Sequence, residues 1–378
     1  MATVARILIV GGGIAGLTLA ISLQQQGFHP ELVERNPEWR AEGAGILLHA
    51  NGIRVLRALG LGAAVEQAGM VIRRYGWYDQ RWEKLTETDL EEMWGEVGPC
   101  IGIARPALQQ GLLVGAADVP CRLGVAVTSL TQDAERVRVG FSDGSSGDYD
   151  LVVGADGIAS TVRQLTLGAD SPNYIGLMLW RSLIPMRPPG VTHWMFLKGD
   201  DGSPDGFLLV PMGDGRTYGA GQVSGPRFHD PLAGRLERVR QRFAAFGGPV
   251  PAYLAALTRD EQLHCGPIEW VDVAQWHSGR VVLIGDAAHA APPTMAEGGS
   301  MAMEDALVLA EVLRTAESVE RALDTYVARR RPRVDWVAQQ SREIATNFRL
   351  PPAVFAAALR ERGDQEMRER YRPLVPTP

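Results

Sequence analysis

The sequence predicts an α/β protein in which a buried parallel sheet is interrupted by an inserted antiparallel sheet and followed by helices. Three observations lead there. Residues 6–27, "RILIVGGGIAGLTLAISLQQQG", join a short apolar run, a glycine turn and a stretch of helical period. Between about 175 and 225 the pattern changes to short strands ended by turn residues: "LMLWRSLIP", "THWMFLKGDDG", "DGFLLVPMGDG" and "RTYGAGQV". From Ser300 to about Phe348 helical periodicity dominates, with an interruption expected at Pro332.

The elements follow in order. Residues 5–10 read as a buried strand, 17–27 as a helix closed by Gly27, and "PELVER" at 30–35 as the next strand. "RPALQQGLLVGA" at 105–116 reads as a helix, and 125–144 as strands joined by a polar turn. "YDLVVGADG" and "RVVLIGDAAH" are each a buried strand running into a turn. Residues 232–258 read as helix, with Pro251 starting a second piece, and "RPLVPTP" at 372–378 as a frayed tail. The strands at 5–10, 30–34, 149–153 and 280–284 are expected to share one sheet. The domain expectation is discontinuous: 1–70, 100–170 and 275–330 form one unit, 71–99 and 171–274 a second, and 331–378 a helical segment. An interface between such units suits a buried ligand.

Composition narrows the function. The chain has 378 residues, 46% hydrophobic and 22% charged, enough for a sizeable core. A net charge of −6 argues against a nucleic-acid partner. Cys100, Cys121 and Cys265 are scattered, with no spacing for zinc or a disulfide framework, so no metal is expected and a reducing cytoplasm is the expected compartment. The apolar run from Ile7 carries glycines and is short for a membrane span. A monomer or homodimer is expected.

Gly11-Gly12-Gly13-Ile14-Ala15-Gly16 matches G-x-G-x-x-G between a strand and a helix. Gly11 permits the tight turn, Gly13 lets a pyrophosphate approach the backbone, and Gly16 lets helix and strand pack closely. The helix start, including Ile14 and Ala15, offers free N–H groups to phosphate. Glu34 ends the second strand, where an acid accepts a ribose hydroxyl. This is a Rossmann-like fingerprint for FAD or NAD. Arg35 is either a solvated charge or a partner for the adenine.

Two later loops repeat the strand-to-turn layout: "DGIASTVR" at 156–163 and "GDAAHAAPP" at 285–293. Asp156 also suits a helix N-cap. Taken in this order with G-x-G-x-x-G, the chain resembles the group A FAD-dependent monooxygenases of the p-hydroxybenzoate hydroxylase fold. The "AMEDALVLAEVL" segment is most similar to the urate hydroxylase and zeaxanthin epoxidase subset. The resemblance implies a Rossmann-like FAD-binding domain and roles for named residues. Glu34 would bind the adenosine ribose, Arg105 the FAD linker, and Val127 the adenine through its backbone. Asp286, after Gly285, would meet the ribityl chain, and Asp156 the pyrophosphate region. Gly298, Gly299 and Ser300 would face the flavin pyrimidine edge, and Gly45 would lie close to the isoalloxazine. Where many relatives carry G-Q-G, this chain has Ala296-Glu297-Gly298, and Glu297 is expected to point to solvent or a surface arginine.

The implied chemistry uses FAD, NADH or NADPH held transiently, and O2, through a flavin 4a-hydroperoxide that hydroxylates an electron-rich carbon. Such a site must be dry, and "AAPPTMA" is small and apolar enough to wall it. Trp180, Met195, Phe207, Leu209 and Tyr218 are the expected substrate lining on the inserted sheet, with Pro293 on the flavin side. His49, Arg181 and Pro293 are the candidates for contact with the reacting groups. The expected substrate is a hydrophobic, aromatic small molecule. Alternatives on the same scaffold are an epoxidase or ring-modifying oxygenase, a flavin halogenase, or a reductase that does not oxygenate. The tryptophan-rich halogenase stretch is missing from the sequence.

Overall fold

The computed structural model describes residues 4–39, 45–168, 172–200 and 205–378. The Arg40–Ala44 stretch ahead of Gly45 lies outside the described residues. Strand Ile7–Val10 runs parallel to Pro30–Glu34 on one side and to Leu151–Gly154 on the other. Val281–Leu283 pairs in parallel beyond Leu151–Gly154, and His277–Ser278 and Cys121–Leu123 complete a six-stranded sheet. Helix Ile14–Gln25 buries every residue from Ala15 to Leu23, so it has no solvated face. Both glycine loops therefore leave this sheet at the ends of central strands, where ligands of open α/β sheets bind.

The second sheet has seven strands, in the order His264–Trp270, Asn173–Ile184, Thr217–Ser224, Gly206–Pro211, Trp194–Lys198, Arg74–Asp79 and Lys84–Asp89. It is mixed rather than wholly antiparallel, because Trp194–Lys198 runs parallel to Arg74–Asp79. Those two strands come from distant segments, so no hairpin dictates their direction. Helices Arg235–Arg242 and Val250–Ala256 cover one face of this sheet, in a cluster with Phe207, Phe243 and Tyr253. The other face looks toward the first sheet.

Three helices close the fold: Gly298–Thr315, Val319–Asn347 and Pro352–Tyr371. The interruption expected at Pro332 does not occur, since the 29-residue second helix runs through it. The break falls earlier, where Ser318 caps Arg321 N at 3.2 Å. A mid-helix proline costs about 3 kcal/mol, and here its neighbours are clamped from outside. Arg330 binds Asp305 and Glu304, Arg331 binds the Val273 and Ala274 carbonyls, and Arg333 binds Glu304. Nor is the 372–378 segment frayed. Leu374 is fully buried, and Arg54, Arg329 and Arg333 donate to the carbonyls of Val375, Pro378 and Leu374 at 2.6–2.8 Å.

The helices meet at a buried charge cluster. Asp305 accepts from Gly285 N at 2.9 Å, His289 Nε2 at 2.6 Å and Arg330 Nε at 2.8 Å. Burial opposes its charge, but His289 and Arg330 outweigh it and hold the Asp305 carboxyl down to about 2. Glu304 pairs with Arg330 and Arg333 at 2.7 and 2.8 Å. Glu297 does not point to solvent; it is 1% exposed, because Ala296 adopts φ +55° and turns the chain inward. Burial pushes its carboxyl up to about 8.

Two outcomes follow for stability. Arg330→Ala removes one cationic partner from each of two buried carboxylates, leaving His289 on Asp305 and Arg333 on Glu304, and should cost about 3 kcal/mol, read as a lower urea midpoint. Glu297 holds its proton in the folded protein up to about pH 8, against an ordinary value of 4.5. As pH rises between those values only the unfolded chain ionises there, so this group's contribution is full below the lower value and lost by the upper. Glu297→Gln should therefore match the wild type near the acidic end and exceed it above about pH 8 in urea titrations.

Candidate active site

A cavity of about 380 Å³ lies between the two sheets, reached by both glycine loops and by the start of the Gly298 helix. Its first wall comes from the parallel sheet. Gly13 caps helix Ile14–Gln25 with no side chain on the first N–H groups, and Gly13, Ile14 and Ala15 all line the cavity. Gly11 takes φ +108°, and a Cβ there would overlap the Ala155 carbonyl, so only glycine fits. Gly16 is closed against Gly11 in the same way, and Gly285, at φ +57°, packs on Ala15 and Ala302. These three support the cradle from behind, outside the cavity lining.

Glu34 accepts from Gly12 N and Asn36 N, both at 2.8 Å, which fixes the acid at the strand end beside the glycine turn. Arg35 is exposed beyond it. The N-cap of helix Thr161–Leu167 is Ser160, which accepts from Arg163 N, rather than Asp156; Asp156 spends its carboxylate beside that cap, accepting from Ser160 Oγ at 2.5 Å and Thr161 N at 2.7 Å. Val127 is buried in its strand opposite Phe141, away from the cavity.

The second wall is the loop that begins at Gly285. Asp286 is exposed into the cavity, and Pro293 and Thr294 line it. Three contacts hold this loop from behind. His49 Nε2 and Tyr371 Oη donate to the Met295 carbonyl at 3.1 and 2.6 Å, and Thr294 Oγ1 donates to the Ser341 carbonyl at 2.6 Å. His49 is fully buried among Trp94, Trp194 and Tyr371, and burial pushes its imidazole down to about 3. It is a neutral hydrogen-bonded support for the wall and does not line the cavity. Helix Gly298–Thr315 then starts with no capping side chain, and Gly298 and Gly299 open onto the cavity. An 18-residue helix aimed this way attracts negative charge. Ser300 is fully buried behind it.

The third wall is the inner face of the seven-stranded sheet. Arg181 and Tyr218 line it as expected, while Trp180, Met195, Phe207 and Leu209 do not. Those four sit on the opposite face against the Arg235 and Val250 helices, and Trp180 Nε1 donates to Asp230 at 2.7 Å. The reason is strand parity: neighbouring residues point to opposite faces, so Trp180 and Arg181 cannot share one. The registers Arg181↔Ala220, Leu209↔Gly219 and Met195↔Leu209 then bring Leu208, Val210, Ala220, Gln222, Trp194 and Phe196 inward. Tyr75 stacks on Trp194 at 3.7 Å, and Trp77 and Phe348 pack against Phe196 at 4.8 and 5.0 Å. Alternation outward from Arg181 and Tyr218 was the available signal for these strand residues. Nothing local marked Ile344 and Phe348, which arrive from the Val319–Asn347 helix and its C-cap.

Polar groups in this cavity are few. Arg181 Nε and Gln222 Nε2 are buried with no hydrogen-bond partner among the described residues. Burial raises the Tyr218 phenol above its ordinary range, and the nearby Arg181 and Arg105 pull it the other way. Arg105 begins helix Arg105–Gly115 and lines the same end of the cavity. Gly45 is bare for a reason, since a Cβ there would come within 2.7 Å of Tyr218 and Met212. A slot kept open by glycine, two uncapped helix starts and the exposed Asp286 fit a flat ring joined to a diphosphate. No group of side chains that could hold a metal ion occurs among the described residues, and none of their helices is long and apolar enough to cross a membrane.

Known proteins share this arrangement. The model of a family described as an FAD binding domain matches residues 4–341. The aurachin C monooxygenase/isomerase of Stigmatella aurantiaca is 34% identical over 340 residues, 89% of this chain and 88% of its own. An FAD-dependent urate hydroxylase of Klebsiella pneumoniae is 33% identical over 341 residues, 86% of each chain. A 3-amino-4-hydroxybenzoate 2-monooxygenase of Streptomyces platensis is 31% identical, covering 92% of this chain and 89% of its own. The crystal structure of Klebsiella pneumoniae HpxO with FAD and uric acid superposes with a TM-score of 0.86 at 29% identity, covering 98% of this chain and 95% of the other. The chain belongs to this FAD-binding family, as one of its group A flavin monooxygenases.

Proposed function

We propose that this FAD-dependent monooxygenase hydroxylates a planar aromatic or heteroaromatic molecule that carries one acidic or strongly hydrogen-bond-accepting group. The observation that carries this reading is the division of the cavity. Trp77, Phe196 and Phe348 form an aromatic end, while Arg181 Nε and Gln222 Nε2 are buried with no hydrogen-bond partner among the described residues. Leaving such donors without acceptors costs free energy, so a ligand that supplies the acceptor is favoured over one that does not. The relatives named above for urate and aminohydroxybenzoate chemistry act on molecules of this general kind.

FAD, when bound, would supply the hydride-accepting and O2-activating chemistry that such a hydroxylation needs. The protein's part is positional. The Gly13 and Gly298 helix starts would hold the diphosphate and negative charge on the ring, and Arg105 would reach the linker. Pro293, with its supports His49 and Tyr371, keeps water from the reacting face. Tyr218 stays a neutral phenol, able to donate a hydrogen bond to the substrate.

Purified holoenzyme screened against aromatic acids and their uncharged analogues should consume NAD(P)H faster with the acids and incorporate label from labelled dioxygen. Hydrogen peroxide as the sole oxygen product across the panel would remove the hydroxylase reading. For the best acid, Arg181→Met should raise KM by about tenfold or more, with a smaller effect on the uncharged analogue. Strand parity supplies a separate check. Phe207→Ala should cost about 3–5 kcal/mol of stability, whereas Leu208→Trp should leave the urea midpoint nearly unchanged and block substrate binding.

A further inference from the structure

Glu297 occupies a position that an uncharged residue would fill more simply. It is the N-cap residue of the Gly298 helix, between Ala296 and Gly298, both of which line the cavity. Its side chain turns away from that cavity into the protein. There Asn51 Nδ2 donates to Glu297 Oε2 at 3.0 Å and to Glu304 Oε1 at 3.2 Å, so two carboxyl groups share one amide. Glu304 has arginine partners in Arg330, Arg333 and, at 3.7 Å, Arg54. Glu297 forms no ion pair among the described residues.

The hydrogen-bond bookkeeping singles out the same group. Among the described residues, Asn51 Oδ1, Glu297 Oε1 and Ser300 Oγ are buried without a hydrogen bond of good geometry, with the Ser300 hydroxyl close enough to Glu297 to oppose part of the burial effect. Asn51 and Ser300 belong to one locality, since Gly52 packs directly on Ser300. Two carboxyl groups that share one amide in a buried site disfavour each other's charge, and Glu304 is the one that holds the arginines. Full burial without an ion pair among the described residues therefore favours the neutral form of Glu297. The geometry therefore describes a neutral carboxylic acid set beside the open start of an 18-residue helix.

We propose that Glu297 is a redox-linked acid: neutral, it leaves the Gly298 helix start free to stabilise the negative charge of the reduced flavin, and reduction in turn holds its proton in place. The inference rests on flavin binding in this cavity with its charge-accepting end at Gly298. Hydride from the nicotinamide brings two electrons and a single proton, so the ring gains one negative charge and the oxidised nicotinamide departs. If Glu297 was neutral, no further proton moves. If it was ionised, its carboxylate repels the new charge and takes up a second proton from solvent. Linkage makes the effect reciprocal, so a group that disfavours reduction when charged is itself held protonated by reduction.

The surrounding groups leave Glu297 as the one to respond. Facing it are Glu304 and Ser300 on its own helix, Asn51 on helix Ala50–Ala58 and Arg333 on helix Val319–Asn347, with Arg54 and Arg330 bound to Glu304 beyond them. Cys100, His49 and Tyr371 complete the shell. Burial raises the Cys100 thiol and the Tyr371 phenol and lowers the His49 imidazole, so these three stay neutral while Glu297 crosses its range near pH 8.

The test is the midpoint potential of bound FAD, measured by equilibration with redox dyes from about pH 6 to about pH 10, on wild-type and Glu297→Gln holoenzyme. The wild type should fall with pH along a line that steepens toward twice its slope near pH 8, as the second proton joins the reaction. The glutamine variant should keep the single slope and a higher potential on the alkaline side. A wild-type line of constant slope throughout would overturn the inference even if the variant failed to fold, and so would a variant that bends like the wild type. Failure of the purified wild type to retain FAD would instead count against the cofactor reading on which the inference stands.

Discussion

One buried carboxylate fixes the relation between the parts of this molecule. Asp305 lies on the Gly298 helix, and its two oxygens reach the Gly285 amide and His289 on one side and Arg330 on the other. The loop after the central strand, the helix that opens onto the cavity and the long helix behind it are thus tied at a single point. A buried charge of this kind is costly unless every lone pair is used, and here His289 and Arg330 hold it ionised. Because Asp286 and Gly298 lie on segments that diverge from this point, their approach across the cavity is set by it. The glycines then need only to stay small.

The parts of the fold visible in the sequence were those decided locally. Gly11, Gly13 and Gly16 declare themselves because a strand, a turn and a helix start are read within a few residues. Gly285-Asp286 declares itself for the same reason, whereas Gly298-Gly299 was placed only by the family resemblance. The substrate wall did not, because strand periodicity states that alternate residues share a face without saying which face is inward. Arg181 and Tyr218 fell on the cavity side, while Trp180, Met195, Phe207 and Leu209 were assigned to it one residue out of phase. Phe348 and Ile344 reach the cavity through helix packing, and no short stretch of sequence encodes that. Pro332 misled in a related way: its local preference was overruled by arginines whose partners lie elsewhere in the chain.

Glu297 shows how a departure from a familiar pattern acquires meaning only in three dimensions. Read along the chain, an acid between Ala296 and Gly298 looks like a surface residue. Folded, the left-handed turn at Ala296 drives it inward beside Asn51, and the charge that would be ordinary in water becomes unfavourable. The same burial that protects the flavin face from solvent supplies this effect. Dryness and charge control at this site are two results of one packing arrangement.

The support of the Pro293 wall ties together segments far apart in sequence. Tyr371 holds the Met295 carbonyl, and Arg54 holds the carbonyl of Val375 from 321 residues away. Contacts of such range bear a loop-closure cost that the strand, turn and helix at Ile7–Gln25 do not. The first glycine turn can therefore form from local contacts alone, while the wall of the cavity exists only once distant parts of the chain have met.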